Sequence, residues 1–289
     1  MTHLSYYVVL GCTACALLLS WAYYRHYQVS RPPIGVFNLM DIVLMMVFII
    51  LVPLLYLILP IWLAAVLLLL IALSILYFMW EPVLHARWAI WLAALGLLAI
   101  DSAAAFLFGT SQNAFFAINN LVLLLIVVGA TNLWAQSGMK ARDAALLGVF
   151  LALYDFIATS RLPLMGDLVT RLAGLPLAPL VAWSSEHTLW GIGLGDLLLA
   201  AVFPLVMHKA FGRPAGLVAL LLAFAAIGTL LALPLQGFFP AMVILGPLMV
   251  LQYLYWKSRR GQERTMWQYL REEPMEPTKQ SLTSRQEAL

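Results

Sequence analysis

Charged residues are scarce in this chain of 289 residues. They make up 10% of it, whereas soluble domains carry about a quarter, and 64% of the residues are hydrophobic. The net charge of +3 is too small to indicate a nucleic-acid partner. So much apolar surface needs the lipid bilayer around it. We therefore predict a multi-pass integral membrane protein.

Cysteine is also scarce, with Cys12 and Cys15 three residues apart in one apolar segment. Two such cysteines provide no disulfide framework, and we interpret them as small residues on a helix face. We expect no metal site and no cofactor.

The N-terminus lacks the basic flank of a secretory signal, so segment 4–24 is predicted to remain as a membrane span. The absence of an Asn-x-Ser/Thr sequon and of a retention signal favours a prokaryotic cell membrane over the endoplasmic reticulum.

Nine apolar stretches each approach the twenty residues that a helix needs to cross the hydrocarbon. They predict an all-α fold with nine transmembrane helices, at 4–24, 37–58, 61–80, 88–109, 115–135, 143–160, 187–208, 214–235 and 240–256. The corresponding blocks are a six-helix block at 1–160, a connecting loop on the outer face at 161–186, a three-helix block at 187–256 and a polar cytoplasmic tail at 257–289.

Lysine and arginine concentrate on one side of these predicted spans. The connections after the second, fourth and eighth spans have none, and the connection after the sixth has only Arg161 and Arg171. The other side has the basic tail and seven further residues: Arg25, Arg31, Arg87, Lys140, Arg142, Lys209 and Arg213. Because positive charge is retained in the cytoplasm, we expect the N-terminus outside and the C-terminus in the cytoplasm.

Three aspartates lie well inside predicted spans: Asp101, Asp155 and Asp196. A carboxylate in lipid costs several kcal/mol unless it is paired or neutralised, so such residues are usually functional. Asp155 and Asp196 reach similar depths on antiparallel helices that are consecutive in the chain, and such helices commonly pack together. For Asp101 we expect a local hydrogen bond at a close helix contact, with Asn119 and Asn120 as candidate partners.

A pair of neighbouring carboxyls has a defined chemistry. The two cannot both ionise cheaply, so they share a proton. The ionised partner can then deprotonate a water, while the protonated one polarises a carbonyl and protonates the departing amine. Depth alone leaves two other readings open: buried acids that are satisfied by neighbouring helices, and a proton relay.

Three short motifs resemble those of the presenilin and signal peptide peptidase family, the GxGD intramembrane aspartyl proteases. Tyr154-Asp155 resembles the YD motif on the sixth span, and Gly193-Leu194-Gly195-Asp196 the GxGD motif on the seventh. Pro240-Ala241-Met242 occupies the place of the Pro-Ala-Leu motif that opens the ninth span, with Met in place of Leu. The motifs lie within residues 143–256, and the first five spans match the family in number only.

The resemblance implies a presenilin-like fold and an aspartyl endopeptidase with Asp155 and Asp196 as its catalytic dyad. It also implies that seven residues shape the substrate site: Tyr154, Gly193, Leu194, Gly195, Pro240, Ala241 and Met242. Gly193 and Gly195 would admit the substrate backbone beside Asp196. The predicted orientation is that of signal peptide peptidases, whose substrates are single transmembrane spans or remnant signal peptides. No obligatory partner subunit is indicated, and self-association is left open.

Other classes of membrane protein fit the sequence less well. A prepilin-peptidase type also uses a GxGD aspartate but needs no Pro-Ala-Leu-like triplet. Zinc proteases need a His-Glu-x-x-His motif, which is absent, and Ser137-Gly138 has no mid-membrane histidine to act as a rhomboid base. A proton-coupled transporter would use the buried aspartates as a relay, but no clear internal repeat supports it. A catalytically silent scaffold is the remaining alternative.

Overall fold

A computed structural model describes residues 3–29, 38–160, 164–173, 175–185, 188–233, 241–264 and 268–269. Most of these residues are helical, and they form ten helices and two strands. In chain order the elements are α1 (His3–His26), α2 (Leu39–Ile58), α3 (Ile61–Trp80), α4 (Arg87–Phe108), α5 (Asn113–Gln136), α6 (Ala141–Ser160), α7 (Leu164–Leu172), β1 (Leu180–Ser185), β2 (Thr188–Gly193), α8 (Leu194–Phe211), α9 (Arg213–Ala232) and α10 (Met242–Arg260).

Seven helices are long and apolar enough to cross a membrane, and they are α1 to α5, α8 and α9. The protein is therefore a multi-pass membrane protein. The helix ends follow local sequence signals. Asn38 and Asp41 form a capping box at the start of α2, and glycines with positive φ, Gly109 and Gly212, end α4 and α8.

Two helices, α5 and α8, form the centre of the molecule. They pack against each other, and α1 packs against both. On one side α3 and α4 pack against α5, and on the other α9 packs against α8. The largest apolar cluster is centred on α8, whose residues from Leu199 to Met207 are almost all fully buried. Asp155 and Asp196 lie on α6 and α8, and these two helices are also in contact.

The all-helical prediction missed a β-hairpin, and the predicted seventh helix over 187–208 was wrong in its first part. Thr188–Gly193 is a strand that pairs antiparallel with Leu180–Ser185, and the helix begins only at Leu194. Glycine is a poor helix former. In addition, a Cβ atom at Gly191 would lie 2.8 Å from the carbonyl oxygen of Val181, so the two strands approach closely there.

The connection 161–186 contains α7 and β1, which the sequence analysis did not predict. The other eight predicted helices were correctly placed to within a few residues wherever the structure describes them. The predicted boundaries at 37, 187, 235 and 240 lie outside the described residues.

The start of the predicted polar tail packs against the ends of several helices. Helix α10 continues to Arg260, and the next residues turn back. Glu263 accepts a hydrogen bond from the backbone N–H of Ala141 at the start of α6, at 3.1 Å. The backbone N–H of Arg264 donates to the carbonyl oxygen of Ala210 near the end of α8, at 3.2 Å. These residues therefore connect the two aspartate-bearing helices at the ends remote from the aspartates.

Candidate active site

Asp196 lies in the first turn of α8, immediately after the hairpin. The residue as a whole is partly exposed, and its carboxyl group is buried near Gly193, the last residue of β2. A Cβ atom at Gly193 would come within 3.2 Å of Asp196 Oδ2. The backbone N–H groups of a first helical turn have no intrahelical acceptors, and they favour a negative charge. The glycine therefore leaves room for the carboxylate at a position where the helix stabilises it.

The glycines around Asp196 have three different surroundings. Gly191 is required by the close approach of β1, and Gly193 faces the carboxyl group of Asp196 itself. A Cβ atom at Gly195 would meet nothing within 4 Å, and this residue is exposed. Of the two glycines predicted to admit a substrate backbone, Gly195 thus has open space beside it. Leu194, between them, is half-buried and begins α8.

Asp155 lies close to the C-terminal end of α6. Its carboxyl group is half-buried and lies close enough to Asp196 for the two to interact electrostatically. The preceding residue, Tyr154, is half-buried, and its hydroxyl oxygen is buried without a hydrogen-bond partner among the described residues. The structure thus brings together the two aspartates that the sequence analysis paired, with a polar side chain beside them.

Helix α10 places a backbone donor at this pair. It packs along α6 through Gly148 and Gly246, where a Cβ atom on Gly246 would overlap the Gly148 carbonyl group and come within 2.9 Å of Ala152 Cβ. At the start of α10, the backbone of Met242 lies near the Asp155 carboxyl group. A contact made by the backbone does not depend on whether the side chain is Met or Leu. Ala241 and Met242 are buried, and Pro240 lies outside the described residues.

The outer edge of β2 offers backbone groups next to Asp196. Asparagine side chains bind the backbone N–H and C=O groups of Ala182 and Ser184, which therefore point away from β2. The residues of β1 that alternate with these two direct their backbone groups towards β2. In the observed register, β2 then turns the N–H and C=O groups of Leu189 and Gly191 and the N–H of Gly193 away from β1, while the C=O of Gly193 begins the hydrogen bonding of α8. No strand in the described part of the chain pairs with that edge.

Four polar residues hold this hairpin, and the sequence analysis did not assign them to it. Asp101, Asn113, Asn119 and Asn120 all bind backbone groups of residues 177–184, and we call them the hairpin-binding group. Asn120 binds both the N–H and the C=O of Ala182, at 3.0 and 2.9 Å. Polar residues inside an apolar span were the available signal. The expectation that Asn119 and Asn120 would bond to Asp101 was wrong, because their partners are in the hairpin.

Comparison of the chain with protein-family models, with curated proteins and with solved structures found no match.

Proposed function

We propose that this protein is an intramembrane aspartyl protease of the presenilin and signal peptide peptidase type, with Asp155 and Asp196 as its catalytic dyad. The observation that carries the proposal is the approach of these two carboxyl groups on facing helices inside a multi-pass membrane protein. Both residues are partly exposed. In this proposal α6 and α10, with 20 and 19 residues, complete a set of nine spans.

The dyad chemistry uses one proton shared between the two carboxyls. The ionised carboxylate takes a proton from a water molecule, whose oxygen attacks the scissile carbonyl carbon. The protonated carboxyl donates a hydrogen bond to the carbonyl oxygen as the tetrahedral intermediate forms. Protonation of the amide nitrogen then allows the C–N bond to break. The N–H of Met242 and the hydroxyl of Tyr154 are donors available at the Asp155 end of this site.

The outer edge of β2 is the proposed place for the substrate backbone. A transmembrane helix hides its peptide bonds in its own hydrogen bonds, so it must unwind locally before cleavage, and its freed groups then need partners. The outward N–H and C=O groups of Leu189 and Gly191, with the N–H of Gly193, can supply them by strand addition. A substrate paired there would pass beside Asp196, which follows Gly193 by three residues.

The proposed orientation has the C-terminus in the cytoplasm and the dyad nearer the outer face, because the positive residues concentrate on the tail side. This is the signal peptide peptidase arrangement. It favours substrate spans with a cytoplasmic N-terminus, such as remnant signal peptides. The absence of a sequon and of a retention signal is the reason for proposing a prokaryotic cell membrane as the location. Labelling of single cysteines introduced into 164–173 tests this orientation. Cysteines that react only with a reagent supplied on the cytoplasmic side would contradict it.

The decisive experiment is cleavage of a model transmembrane peptide by the purified protein in lipid vesicles, with products identified by mass spectrometry. Asp155→Asn and Asp196→Asn should each abolish cleavage, because an amide can neither activate the water nor share the proton. Asp41→Asn is the matched control, since this residue caps α2 and lies outside the site. Cleavage that survives either dyad substitution would contradict the proposal.

A further inference from the structure

Two members of the hairpin-binding group bind the segment that precedes β1, and the proposed chemistry does not use them. Asp101 on α4 and Asn119 on α5 are both 0% exposed. Asp101 Oδ2 accepts a hydrogen bond from the backbone N–H of Leu177 at 2.7 Å. Asn119 Nδ2 donates to the carbonyl oxygens of Ala178, at 3.1 Å, and of Leu180, at 3.4 Å. Both side chains thus bind the segment that leads into β1.

That segment has a backbone conformation that its surroundings must impose. Leu177 has a φ of 56°, the left-handed region that residues other than glycine rarely adopt. Such a conformation persists only where several contacts determine it. The backbone N–H of this residue donates to Asp101, and the carbonyl oxygen of the next residue, Ala178, accepts from Asn119.

The same segment is bonded directly to the start of α8. The carbonyl oxygen of Pro179 accepts a hydrogen bond from the backbone N–H of Leu194 at 3.0 Å. Leu194 is the first residue of α8, and Asp196 follows two residues later in the same turn. A displacement of residues 177–180 would therefore be transmitted to the Asp196 carboxyl group through a single hydrogen bond.

The hydrogen bonds of this pair leave part of its buried polar surface unsatisfied. Asp101 Oδ1 and Asn119 Oδ1 are buried without a hydrogen-bond partner among the described residues. Burial of unpaired polar atoms is unfavourable, and buried charges are costlier still. Side chains of this kind are found where they provide a specific geometry.

We propose that Asp101 and Asn119 are positioning residues for Asp196, an inference that rests on the proposed protease function. They hold the segment 177–180, and this segment fixes the first turn of α8 through the Pro179–Leu194 hydrogen bond. Neither residue contacts the substrate or the attacking water. Asp101 acts as a hydrogen-bond acceptor, and its charge and its proton have no part in the reaction.

This role predicts a specific pattern of kinetic effects. Asp101→Ala and Asn119→Ala should each lower kcat for the model peptide on the order of 10- to 100-fold, because small misplacements of a catalytic group have effects of this size. KM should change by less than about threefold, since substrate pairing at β2 remains. Asp101→Asn retains an acceptor oxygen for the Leu177 N–H and should restore kcat to within about threefold of the wild type.

The matched control is Asn132→Ala. Asn132 is on the same helix as Asn119 and is equally buried, but it bonds to Ser20 and Val128 rather than to the hairpin. It therefore measures the general effect of removing a buried asparagine from α5. The proposal is overturned if the two alanine variants keep the kcat of Asn132→Ala. It is also overturned if Asp101→Asn loses as much activity as Asp101→Ala, which would assign the carboxyl group a direct part in proton transfer.

Hydrogen exchange provides a readout that does not need activity. In Asn119→Ala, amide exchange in a peptide covering 188–197 should increase, because the start of α8 is no longer held, whereas Asn132→Ala should leave it unchanged. Asn119→Ala also carries the test if Asp101→Ala does not accumulate. A wild type without peptidase activity would refute the proposed function, while unchanged exchange in Asn119→Ala would refute the positioning role.

Discussion

Two pairs of helices in this protein have opposite surroundings. In α5 and α8, 72% of the residues in the most apolar window are buried, whereas the values for α2 and α3 are 11% and 17%. The buried pair is nevertheless the less apolar, with mean hydropathy of 2.2 and 1.5 against 2.8 for both α2 and α3. Inside a bilayer, lipid is as apolar as leucine, so hydrophobicity does not drive a helix to the centre.

The residues of the two pairs explain this difference. Helix α5 presents asparagines to the hairpin, and its Gly129 approaches α3 so closely that a Cβ atom would lie 2.9 Å from the Ile75 side chain. Close packing and interhelical hydrogen bonds are what hold membrane helices together. Helices α2 and α3 offer long apolar side chains that lipid can solvate. Central helices are therefore recognised by small and polar residues rather than by high hydropathy.

The largest effect is expected where two backbones touch. Gly246→Ala should destabilise the protein by about 3 kcal/mol, because the new Cβ atom overlaps the Gly148 carbonyl group and forces α6 and α10 apart. It should also abolish cleavage, since α6 carries Asp155. Unfolding by SDS in mixed micelles measures the first effect and peptide cleavage the second.

The control for this substitution is Gly96→Ala on α4, where a Cβ atom meets nothing within 4 Å. It should be neutral or stabilise the helix by about 0.5–1 kcal/mol. Equal effects of the two alanines would contradict the proposed close packing of α6 on α10.

Truncation of a leucine should destabilise the protein much more on a central helix than on an outer one. Leu205→Ala on α8 removes a side chain that is 1% exposed and should cost about 3 kcal/mol, because a cavity remains. Leu70→Ala on α3 truncates a side chain that is 56% exposed and should cost less than about 0.5 kcal/mol, since lipid fills the space. The same unfolding measurement applies, and similar costs would remove the distinction between the two pairs.

A buried cation at the end of α8 tests whether polar residues stabilise the centre. Lys209 is 2% exposed and its Nζ donates to the carbonyl oxygens of Ala135, at 2.7 Å, and Met139. Lys209→Met should cost about 2 kcal/mol, because these carbonyls lose a charged donor. The exposed Lys140→Met should cost less than about 0.5 kcal/mol. A loss in the first variant no greater than in the second would show that the buried lysine is dispensable.

The smallest expected difference lies within the hairpin-binding group. Asn120→Ala leaves the N–H and C=O groups of the buried Ala182 without their partner and should cost about 1–2 kcal/mol. Asn113→Ala breaks the equivalent bonds to Ser184 in a half-buried place and should cost about 0.5–1 kcal/mol, because water can replace the side chain. Comparison of the two unfolding free energies checks this. A larger loss in Asn113→Ala would contradict the expectation that the more buried contact contributes more.

Part of the candidate site could be predicted because it depends on local properties. Helix positions follow from the length of apolar runs. The approach of Asp155 to Asp196 follows from their similar depth on two predicted spans that are consecutive in the chain. The roles of the glycines could not be predicted. Gly191 is restricted by Val181, a contact that exists only once the hairpin has formed, and Gly193 is restricted by Asp196, a contact that exists only because α8 begins at Leu194.

The sequence by itself determined that this is a membrane protein, where most of its helices lie, and which two aspartates lie close together. These properties depend on hydropathy and spacing along short stretches. Only the tertiary structure decided that a β-hairpin precedes Asp196 and that Met242 contributes a backbone group. The hairpin is stable in its apolar surroundings because Asn113, Asn119 and Asn120, about sixty or seventy positions earlier in the chain, bind its backbone. No local pattern within residues 177–193 specifies these partners.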